Sequence, residues 1–248
     1  MYESLRLFVD AKFAERRQYA QLTVIPHLVT IDGPDGSGKS SLSSEVASLL
    51  GDIHGEENVL LVSPTNVHGS VNQDRLSTLL HTASTPISSN RMNDIYVAGI
   101  NRAYGDVIVP ALHQGRIVVC DRSEVDLLRF VLESHNELSI DHRLQFVSDG
   151  TMTHGVWAGN RVFVSATPKE LWENIQIRGA MSPYDPHSLD DAKRRLFYEE
   201  VSERMIENIP CRGTVTCVHV QNTRIEDTER RAQHLHQLAS SVVKQLVL

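Results

Sequence analysis

Residues 33–40 have the sequence Gly33-Pro34-Asp35-Gly36-Ser37-Gly38-Lys39-Ser40, which fits the pattern G-x-x-x-x-G-K-[ST] at every fixed position. An apolar run at 27–31 predicts a buried strand before this loop, and residues 41–50 predict an amphipathic helix that ends at Gly51. A strand, a glycine-rich loop and a helix in this order form a phosphate-binding setting, because backbone N–H groups and a helix N-terminus face the anion. The stretch therefore predicts that the chain binds a nucleoside triphosphate.

Each residue type in this loop has a chemical role. Glycines let the backbone turn its N–H groups inward around an anion. Lys39 is expected to reach the β- and γ-phosphates, and the hydroxyl of Ser40 to ligand Mg²⁺. ATP and Mg²⁺ are therefore the expected cofactors. The predicted nucleotide-binding residues of the loop are Gly33, Asp35, Gly36, Ser37, Gly38, Lys39, Ser40 and Ser41.

A second phosphate-handling element follows the apolar strand predicted at 116–120. Asp121 ends this strand and can hold Mg²⁺, directly or through water, if the strand lies beside the phosphate loop. Arg122 comes next and can bind a phosphate with two parallel hydrogen bonds, whereas a lysine is only a point charge. The alternative is structural: Asp121 caps the next helix and Arg122 forms a surface ion pair. The neighbouring phosphate loop favours the ligand-binding interpretation.

Short apolar runs alternate with helical patterns along residues 23–248. The runs lie at 27–31, 59–62, 116–120, 161–164 and 214–220. This alternation predicts an α/β fold, a three-layer P-loop kinase domain whose five-stranded parallel sheet has the order 2-3-1-4-5 and is flanked by helices. Residues 1–22 precede the domain, and their apolar spacing predicts an N-terminal amphipathic helical extension that Pro26 separates from the first strand.

Composition limits the classes of protein to which the chain can belong. Its 248 residues, 41% hydrophobic and 22% charged, suit one soluble α/β domain. A formal net charge of −7 without a basic run argues against a nucleic-acid polymer as partner. Three scattered cysteines predict reduced thiols in a cytoplasmic protein, and no apolar stretch is long enough to predict a membrane partner. The histidines show no metal-ligand spacing.

The motifs together resemble those of thymidylate kinases and their wider nucleoside monophosphate kinase relatives. The matching segments are residues 31–40, 101–102, 108–112, 115–122, 163–168, 177–179 and 220–227. They are similar to the family's phosphate loop, its central block, its fourth strand and lid, and its final strand with the loop beside adenine. The resemblance implies a small-molecule phosphate acceptor and a homodimer.

The resemblance also implies roles for individual residues. Asp35 would meet the acceptor sugar, while Arg102 and Arg122 would hold the acceptor phosphate. Arg178 would be a lid arginine that neutralises the transferring phosphoryl group, and Arg224 would lie against adenine. The expected catalytic residues are then Lys39, Asp121, Arg122 and Arg178, with Ser40 and Asp121 as metal ligands.

Simpler explanations stay open for several of these positions. Aspartate is a common turn residue, which would explain Asp35. Arg178 fits equally a solvated arginine at a helix end, where its charge meets the helix dipole. Arg194 and Arg195 lie on a predicted helix at 190–205, where we expect a solvated face.

The chain departs from the family at the positions that recognise the acceptor base. Ser63-Pro64-Thr65-Asn66 stands where the family has an Arg-Glu-Pro-like motif, and Ala98 where it has a stacking Phe. Arg129-Phe130-Val131 replaces the base-recognising Gln, and the lid segment 181–187 also differs. The sequence therefore does not predict which base the acceptor carries.

The leading hypothesis is an enzyme, an ATP- and Mg²⁺-dependent kinase that phosphorylates a nucleoside monophosphate or similar phosphorylated acceptor. A phosphate oxygen is already anionic and needs only positioning, whereas a hydroxyl benefits from a general base. Residues 63–66 contain no carboxylate for that task, but Asp121 could supply one, so a deoxynucleoside or other hydroxyl kinase stays open. A non-catalytic ATP-dependent switch is the third hypothesis. The residues retained for phosphoryl transfer argue against it: Asp35, Arg102, Asp121 and Arg122.

Overall fold

The computed structural model describes residues 22–63, 99–100, 102–133, 155–178, 186–207, 211–225 and 227–248. The predicted N-terminal extension lies outside these residues except for Leu22, which is buried in the core. Ala98, residues 64–66 and residues 181–185 of the lid segment lie outside them as well.

Five parallel strands form one sheet in the order β2-β3-β1-β4-β5, which confirms the predicted topology. The strands are β1 (Thr23–Asp32), β2 (Val59–Val62), β3 (Ile117–Asp121), β4 (Val156–Ser165) and β5 (Thr216–Gln221). β1 lies at the centre, so the loop that follows it opens at the carboxyl edge of the sheet between β3 and β4. In an open α/β sheet this edge is where ligands bind.

Helices cover both faces of the sheet. They are α1 (Lys39–His54), α2 (Val109–His113), α3 (Glu124–Glu133), α4 (Pro168–Arg178), α5 (Leu189–Glu207) and α6 (Thr228–Val243), and a π-helical turn (Tyr104–Ile108) leads into α2. No helix within the described ranges is long and apolar enough to span a membrane.

Two hydrophobic cores follow from the alternation of side chains along the strands. Leu28 and Val118 belong to a core shared with α3 and α5, while Val29 and Val119 belong to one shared with α1 and α6. Neighbouring residues of a strand point to opposite faces, so one apolar run supplies both cores. The sheet is thus the middle of three layers.

Two local predictions were wrong. The helix after the phosphate loop does not end at Gly51 but continues to His54, and Gly55, with φ of 93°, terminates it. A helix interior tolerates one glycine, whereas the positive φ at the end favours it. Pro26 does not precede the first strand but lies within β1, where the register with β4 shifts between Ile25 and Val29. A proline is accommodated at such a bulge because it has no N–H to donate to the ladder.

Asn160 on β4 stabilises this irregular part of β1. Its Nδ2 donates to Pro26 O at 2.7 Å and to Val247 O at 2.9 Å, and its Oδ1 accepts from the Val247 N–H at 2.9 Å. Gly159 beside it permits the close approach, since a Cβ there would lie 2.7 Å from Ile25 O. The strand that carries the phosphate loop is therefore fixed by side-chain as well as ladder hydrogen bonds.

Candidate phosphate-transfer site

The glycine-rich loop joins β1 to α1 at the carboxyl edge of the sheet. Gly33, Gly36 and Gly38 have φ of 152°, 89° and 84°, conformations that residues with a Cβ rarely adopt. Gly38 is the N-cap of α1 and supplies no side-chain hydrogen bond, which leaves the first N–H groups of the helix for an anion. The loop has the backbone that phosphate binding requires.

Two asparagines hold the carbonyls of this loop. Asn222, just after β5, donates from Nδ2 to Ser37 O at 2.7 Å, and Asn174 on α4 donates to Gly36 O at 2.9 Å. A Cβ at Gly38 would lie 2.4 Å from Nδ2 of Asn222, so the contact also excludes a larger residue there. Sequence reasoning missed both asparagines, because each acts from a distant segment and neither belongs to the loop pattern.

Lys39 is buried and lies across its own loop. Its Nζ donates to Pro34 O at 3.3 Å and to Asp35 Oδ1 at 3.2 Å. The ammonium of Lys39 therefore lies against the loop that precedes α1, and the carboxylate of Asp35 is its partner. Its contact with the β- and γ-phosphates of a nucleotide stays a prediction.

Asp35 contacts side chains from both elements that the sequence predicts to bind phosphate, the glycine-rich loop and the pair Asp121-Arg122. Arg122 donates from Nη2 to Asp35 Oδ1 at 2.7 Å, the same oxygen that Lys39 contacts. Arg122 has φ of 85°, and its N–H donates to Ile31 O at 3.1 Å, so the chain turns sharply at the end of β3. Burial alone would raise the pKa of Asp35, but Lys39, Arg122 and Arg129 together hold it well below its usual range.

Further charged residues extend this cluster beyond the sequence prediction. Arg122 also donates from Nη1 to Asp126, and Asp126 Oδ1 accepts from Arg129 Nη2 at 3.2 Å. Arg129 Nε lies 2.9 Å from Glu199 Oε2 on α5. Arg195, expected on a solvated face, is instead largely buried, with Nη1 4.0 Å from Asp35 Oδ2. We call the set Asp35, Lys39, Arg122, Asp126, Arg129, Arg195 and Glu199 the Asp35 cluster.

A signal for part of this cluster was present in the sequence. Residues 126 and 129 are three positions apart, which places them on one side of α3, and Arg122 precedes this helix by two positions. No comparable signal marks Glu199, which approaches from α5, a separate element much further along the chain.

The Asp35 cluster has more cationic than anionic groups. Lys39 and three arginines lie within 4.0 Å of Asp35, and the other carboxyls of the cluster are Asp126 and Glu199. Burial raises the pKa of Glu199 to about 8, against the opposing effect of Arg129. Even with all three carboxyls ionised, the four cations of the cluster outnumber them. Such an excess suits a phosphate dianion.

Asp121 and Ser40 are the residues that the sequence predicts as ligands of a divalent cation. Asp121 pairs in register with Ile31 at the end of β1, and its Oδ1 is buried without a hydrogen-bond partner within the described part of the chain. A buried carboxylate oxygen normally has a partner, so this atom fits a metal ion or its water. Ser40 is exposed on the first turn of α1. In the same described part no three His, Cys, Asp or Glu residues gather as a metal site.

The other predicted site residues lie around the cluster rather than in it. Arg102 is 46% exposed and pairs with Asp106 at 3.1 Å, so the structure does not bring it to Asp35. Arg178 is exposed on the last turn of α4. Arg224 donates from Nη1 to Glu173 at 2.8 Å, which ties the loop after β5 to α4. The expected roles of these three arginines stay predictions.

A second set of buried polar residues joins the segment after β3 to the end of β1. The N–H of Ser123 donates to Asp32 Oδ1 at 2.8 Å, and its hydroxyl lies 2.8 Å from Oδ2. Burial raises the pKa of Asp32 to about 7, against the opposing charge of Arg161. Arg161 is itself paired with Glu124 and lies over the Trp157 ring at 4.2 Å. The residue after Arg122 is thus bonded to the residue before the phosphate loop, which fixes the two elements relative to each other.

No family model matches the chain. Among curated proteins it is similar to the thymidylate kinase of Wolbachia pipientis subsp. Culex pipiens (strain wPip), with 34% identity over 94 residues, 38% of this chain and 44% of the relative. The chain spans less than half the length of that relative. A longer match, to the thymidylate kinase of Rickettsia africae (strain ESF-5), has 23% identity over 184 residues, 73% of this chain and 85% of the relative.

A solved structure shares the fold. The crystal structure of thymidylate kinase from Ehrlichia chaffeensis superposes with a TM-score of 0.59 at 18% identity, covering 87% of this chain and 97% of that one. The three-layer arrangement and the strand order are therefore those of a known P-loop kinase fold. Together with the curated matches, this confirms the resemblance predicted from the motifs: the chain is thymidylate kinase-like.

Proposed function

We propose that the chain is an ATP- and Mg²⁺-dependent phosphotransferase that moves the γ-phosphate of ATP to a nucleoside monophosphate or similar phosphorylated acceptor. One observation carries the proposal: Oδ1 of Asp35 lies 3.2 Å from Lys39 Nζ and 2.7 Å from Arg122 Nη2. A lysine expected to serve the donor and an arginine expected to serve the acceptor thus meet at one side chain. This proximity is what direct transfer between two bound phosphates requires.

The donor half of the site is the glycine-rich loop with Lys39. Backbone N–H groups of the loop and of the first turn of α1 would hold the β- and γ-phosphates, and Lys39 would leave Asp35 to contact them. Arg224, on the loop after β5, would lie against adenine. Mg²⁺, when bound with Ser40 and Asp121 as its protein ligands, would neutralise charge on the phosphate oxygens.

The acceptor half is Arg122 with Asp35. Arg122 would bind the acceptor phosphate with two N–H groups, and Asp35 would accept from a hydroxyl of the acceptor sugar. An oxygen of the acceptor phosphate attacks the γ-phosphorus, the bond from that phosphorus to the β–γ bridging oxygen breaks, and ADP leaves with the electron pair. No proton has to be removed from an anionic phosphate oxygen. Positioning and charge neutralisation, which the Asp35 cluster offers, are therefore sufficient.

A second candidate is a kinase that phosphorylates a hydroxyl group. The observation in its favour is Oδ1 of Asp121, a buried carboxylate oxygen without a hydrogen-bond partner in the described residues. Such an oxygen could take the proton of an attacking hydroxyl as a general base. The positive excess of the Asp35 cluster favours the phosphate acceptor, because a neutral nucleoside would not compensate it.

A panel assay tests the proposal. The purified chain is incubated with ATP and Mg²⁺ together with nucleosides, nucleoside monophosphates or phosphorylated sugars, and ADP formation is measured. We expect ADP formation that depends on a phosphorylated acceptor. ADP formation with nucleosides alone would support the second candidate, and hydrolysis without any acceptor would support an ATP-dependent switch instead. Lys39→Ala serves as the control for contaminating kinases.

We also propose a homodimer in the cytoplasm, on the basis of the family likeness. A two-fold dimer is the commonest closed assembly of identical subunits. Analytical ultracentrifugation at micromolar concentration tests it, and a monomer alone would count against the dimer.

A further inference from the structure

A series of ion pairs runs from the surface of the acceptor site into the protein. Arg122, 21% exposed, is bonded to Asp126, which is 2% exposed. Asp126 accepts at 3.2 Å from Arg129, which is 1% exposed, and Arg129 Nε lies 2.9 Å from the fully buried Glu199. Each pair shares a residue with the next one. The series therefore links the surface guanidinium to the interior of the domain.

The series also links two helices. Asp126 and Arg129 lie on α3, which packs against α5, and Glu199 lies on α5. Unpaired buried charges are unfavourable, and the carboxyls of Asp126 and Glu199 compensate the charge of Arg129 in this interface. The side chain of Arg129 is 1% exposed, and its Nη2 lies 3.7 Å from Oδ2 of Asp35. Arg129 is thus placed to act on the site through other side chains.

Arg122 needs support of this kind. Its guanidinium ends a long side chain with many rotamers, and two carboxylates hold it: Asp35 at Nη2 and Asp126 at Nη1. The orientation of this guanidinium depends on where Asp126 stands, and the second partner of Asp126 is Arg129. Only a guanidinium held in one orientation can bind a phosphate with two parallel hydrogen bonds.

We propose that Arg129 is a positioning residue of the acceptor site: it fixes Asp126, Asp126 fixes the guanidinium of Arg122, and Glu199 anchors Arg129 from α5. The proposal rests on the proposed function in that Arg122 is taken as the ligand of the acceptor phosphate. Residues 129–131 are also a segment in which the sequence departs from the family it resembles. At this departure the buried guanidinium of Arg129 stands where it can orient Arg122, the residue that would bind the acceptor phosphate.

The test compares Arg129→Met and Arg129→Lys with the parent, using the nucleoside monophosphate that gives the highest turnover. We expect Arg129→Met to raise the acceptor KM about 10-fold while the ATP KM stays within about twofold, and Arg129→Lys to restore part of the loss. Arg194→Met is the matched control, because Arg194 is an exposed arginine on α5 paired with Asp191 at 2.8 Å. It is expected to change neither KM.

A double-mutant cycle separates positioning from general support of the fold. If Arg129 acts through Asp126, Arg129→Lys should have little further effect on the acceptor KM in an Asp126→Asn background. Additive effects, an unchanged acceptor KM, or equal increases in both KM values would each overturn the proposal. The conservative variants keep the cycle measurable where Arg129→Met fails to fold, and the melting temperature of every variant is recorded.

A readout without substrate distinguishes failure of this proposal from failure of the proposed function. Side-chain NMR of the arginine Nε–H groups in the full chain is recorded for the parent and for Arg129→Lys. We expect the Arg122 resonance to shift or broaden in the variant, and an unchanged resonance would overturn the positioning role. Absence of acceptor-dependent ADP formation by the parent would contradict only the proposed function.

Discussion

The ammonium of Lys39 lies 3.2 Å from the carboxylate of Asp35, four residues earlier in the same loop. One is expected to bind the donor phosphates and the other the acceptor. Binding of ATP would draw Lys39 towards the β- and γ-phosphates and so remove one of the cations that neutralise Asp35. The charge of Lys39 would therefore act on both the donor and the acceptor phosphate. Substitutions at Lys39 or at Asp35 should affect the binding of ATP and of the acceptor alike.

Lys39→Ala should lower the rate of phosphoryl transfer by about 100- to 1,000-fold, because it removes one preorganised cation from the transferring phosphate. The fold should be retained, since Arg122 and Arg129 still neutralise Asp35. Steady-state kinetics and circular dichroism provide the measurements. Lys193→Ala, at an exposed lysine on α5, is the control. Turnover at the parental rate would show that the loop assignment is wrong.

Arg122→Lys should raise the acceptor KM about 10-fold or more, because lysine keeps the charge but loses the two parallel hydrogen bonds. ATP affinity, measured by calorimetry without acceptor, should stay within about twofold of the parent. Arg194→Lys on α5 provides the same substitution at an exposed pair. A collapse of ATP binding with normal acceptor use would assign Arg122 to the donor site.

Gly38→Ala and Gly115→Ala make a matched pair of glycine substitutions. Both positions have positive φ, 84° and 77°, so both variants should lose roughly 1–2 kcal/mol of unfolding free energy. Only the alanine at 38 meets another group, because its Cβ would lie 2.4 Å from Nδ2 of Asn222, whereas nothing lies within 4 Å at 115. We expect Gly38→Ala alone to weaken ATP binding, by about 10-fold or more. Similar ATP affinities in the two variants would contradict a role for the Asn222 contact.

Glu203→Gln should make the protein more stable at alkaline pH. Burial raises the pKa of Glu203 to about 9, with the charges of Glu199 and Asp32 adding to the effect. Between its ordinary pKa of 4.5 and about 9, the folded state keeps a proton that the unfolded state has lost, so this group makes stability fall as pH rises through that window. The variant removes this dependence. Its melting temperature should exceed that of the parent by at least about 2 °C at pH 8.5 and by less at pH 5.

The control for this pH dependence is Asp190→Asn on the same helix, where the side chain is 89% exposed. Its melting temperature should follow that of the parent across the range. A constant difference between Glu203→Gln and the parent from pH 5 to pH 8.5 would refute the assignment of a raised pKa to Glu203.

What the sequence could predict is what depends on local pattern. The glycine loop, the apolar runs and the pair Asp121-Arg122 each occupy a few adjacent residues, and parallel-sheet topology then brings their ends to one edge. The strand order followed from the same rules. Helix and strand ends were less predictable, as Gly51 and Pro26 demonstrate, because packing can override the preference of a single residue.

The residues that were missed act across long separations in the chain. Asn222 reaches Ser37 from 185 positions away, and Arg129 meets Glu199 only because α3 packs on α5. Neither residue type nor spacing distinguishes Asn222 or Glu199 from an ordinary surface residue before the packing is known. Arg195 illustrates the same limit: its position on a polar helix predicts solvent, yet the neighbouring cluster encloses it.

One turn of α4 contacts both the phosphate loop and the loop after β5. Asn174 holds the carbonyl of Gly36, and Glu173 holds the guanidinium of Arg224. Arg178 follows four residues later, about 6 Å along the helix axis. Because α4 is short, we expect it to move as one unit. A nucleotide that shifts the phosphate loop or the loop after β5 would therefore also shift Arg178. Arg178 would then change position together with the two loops when a nucleotide binds.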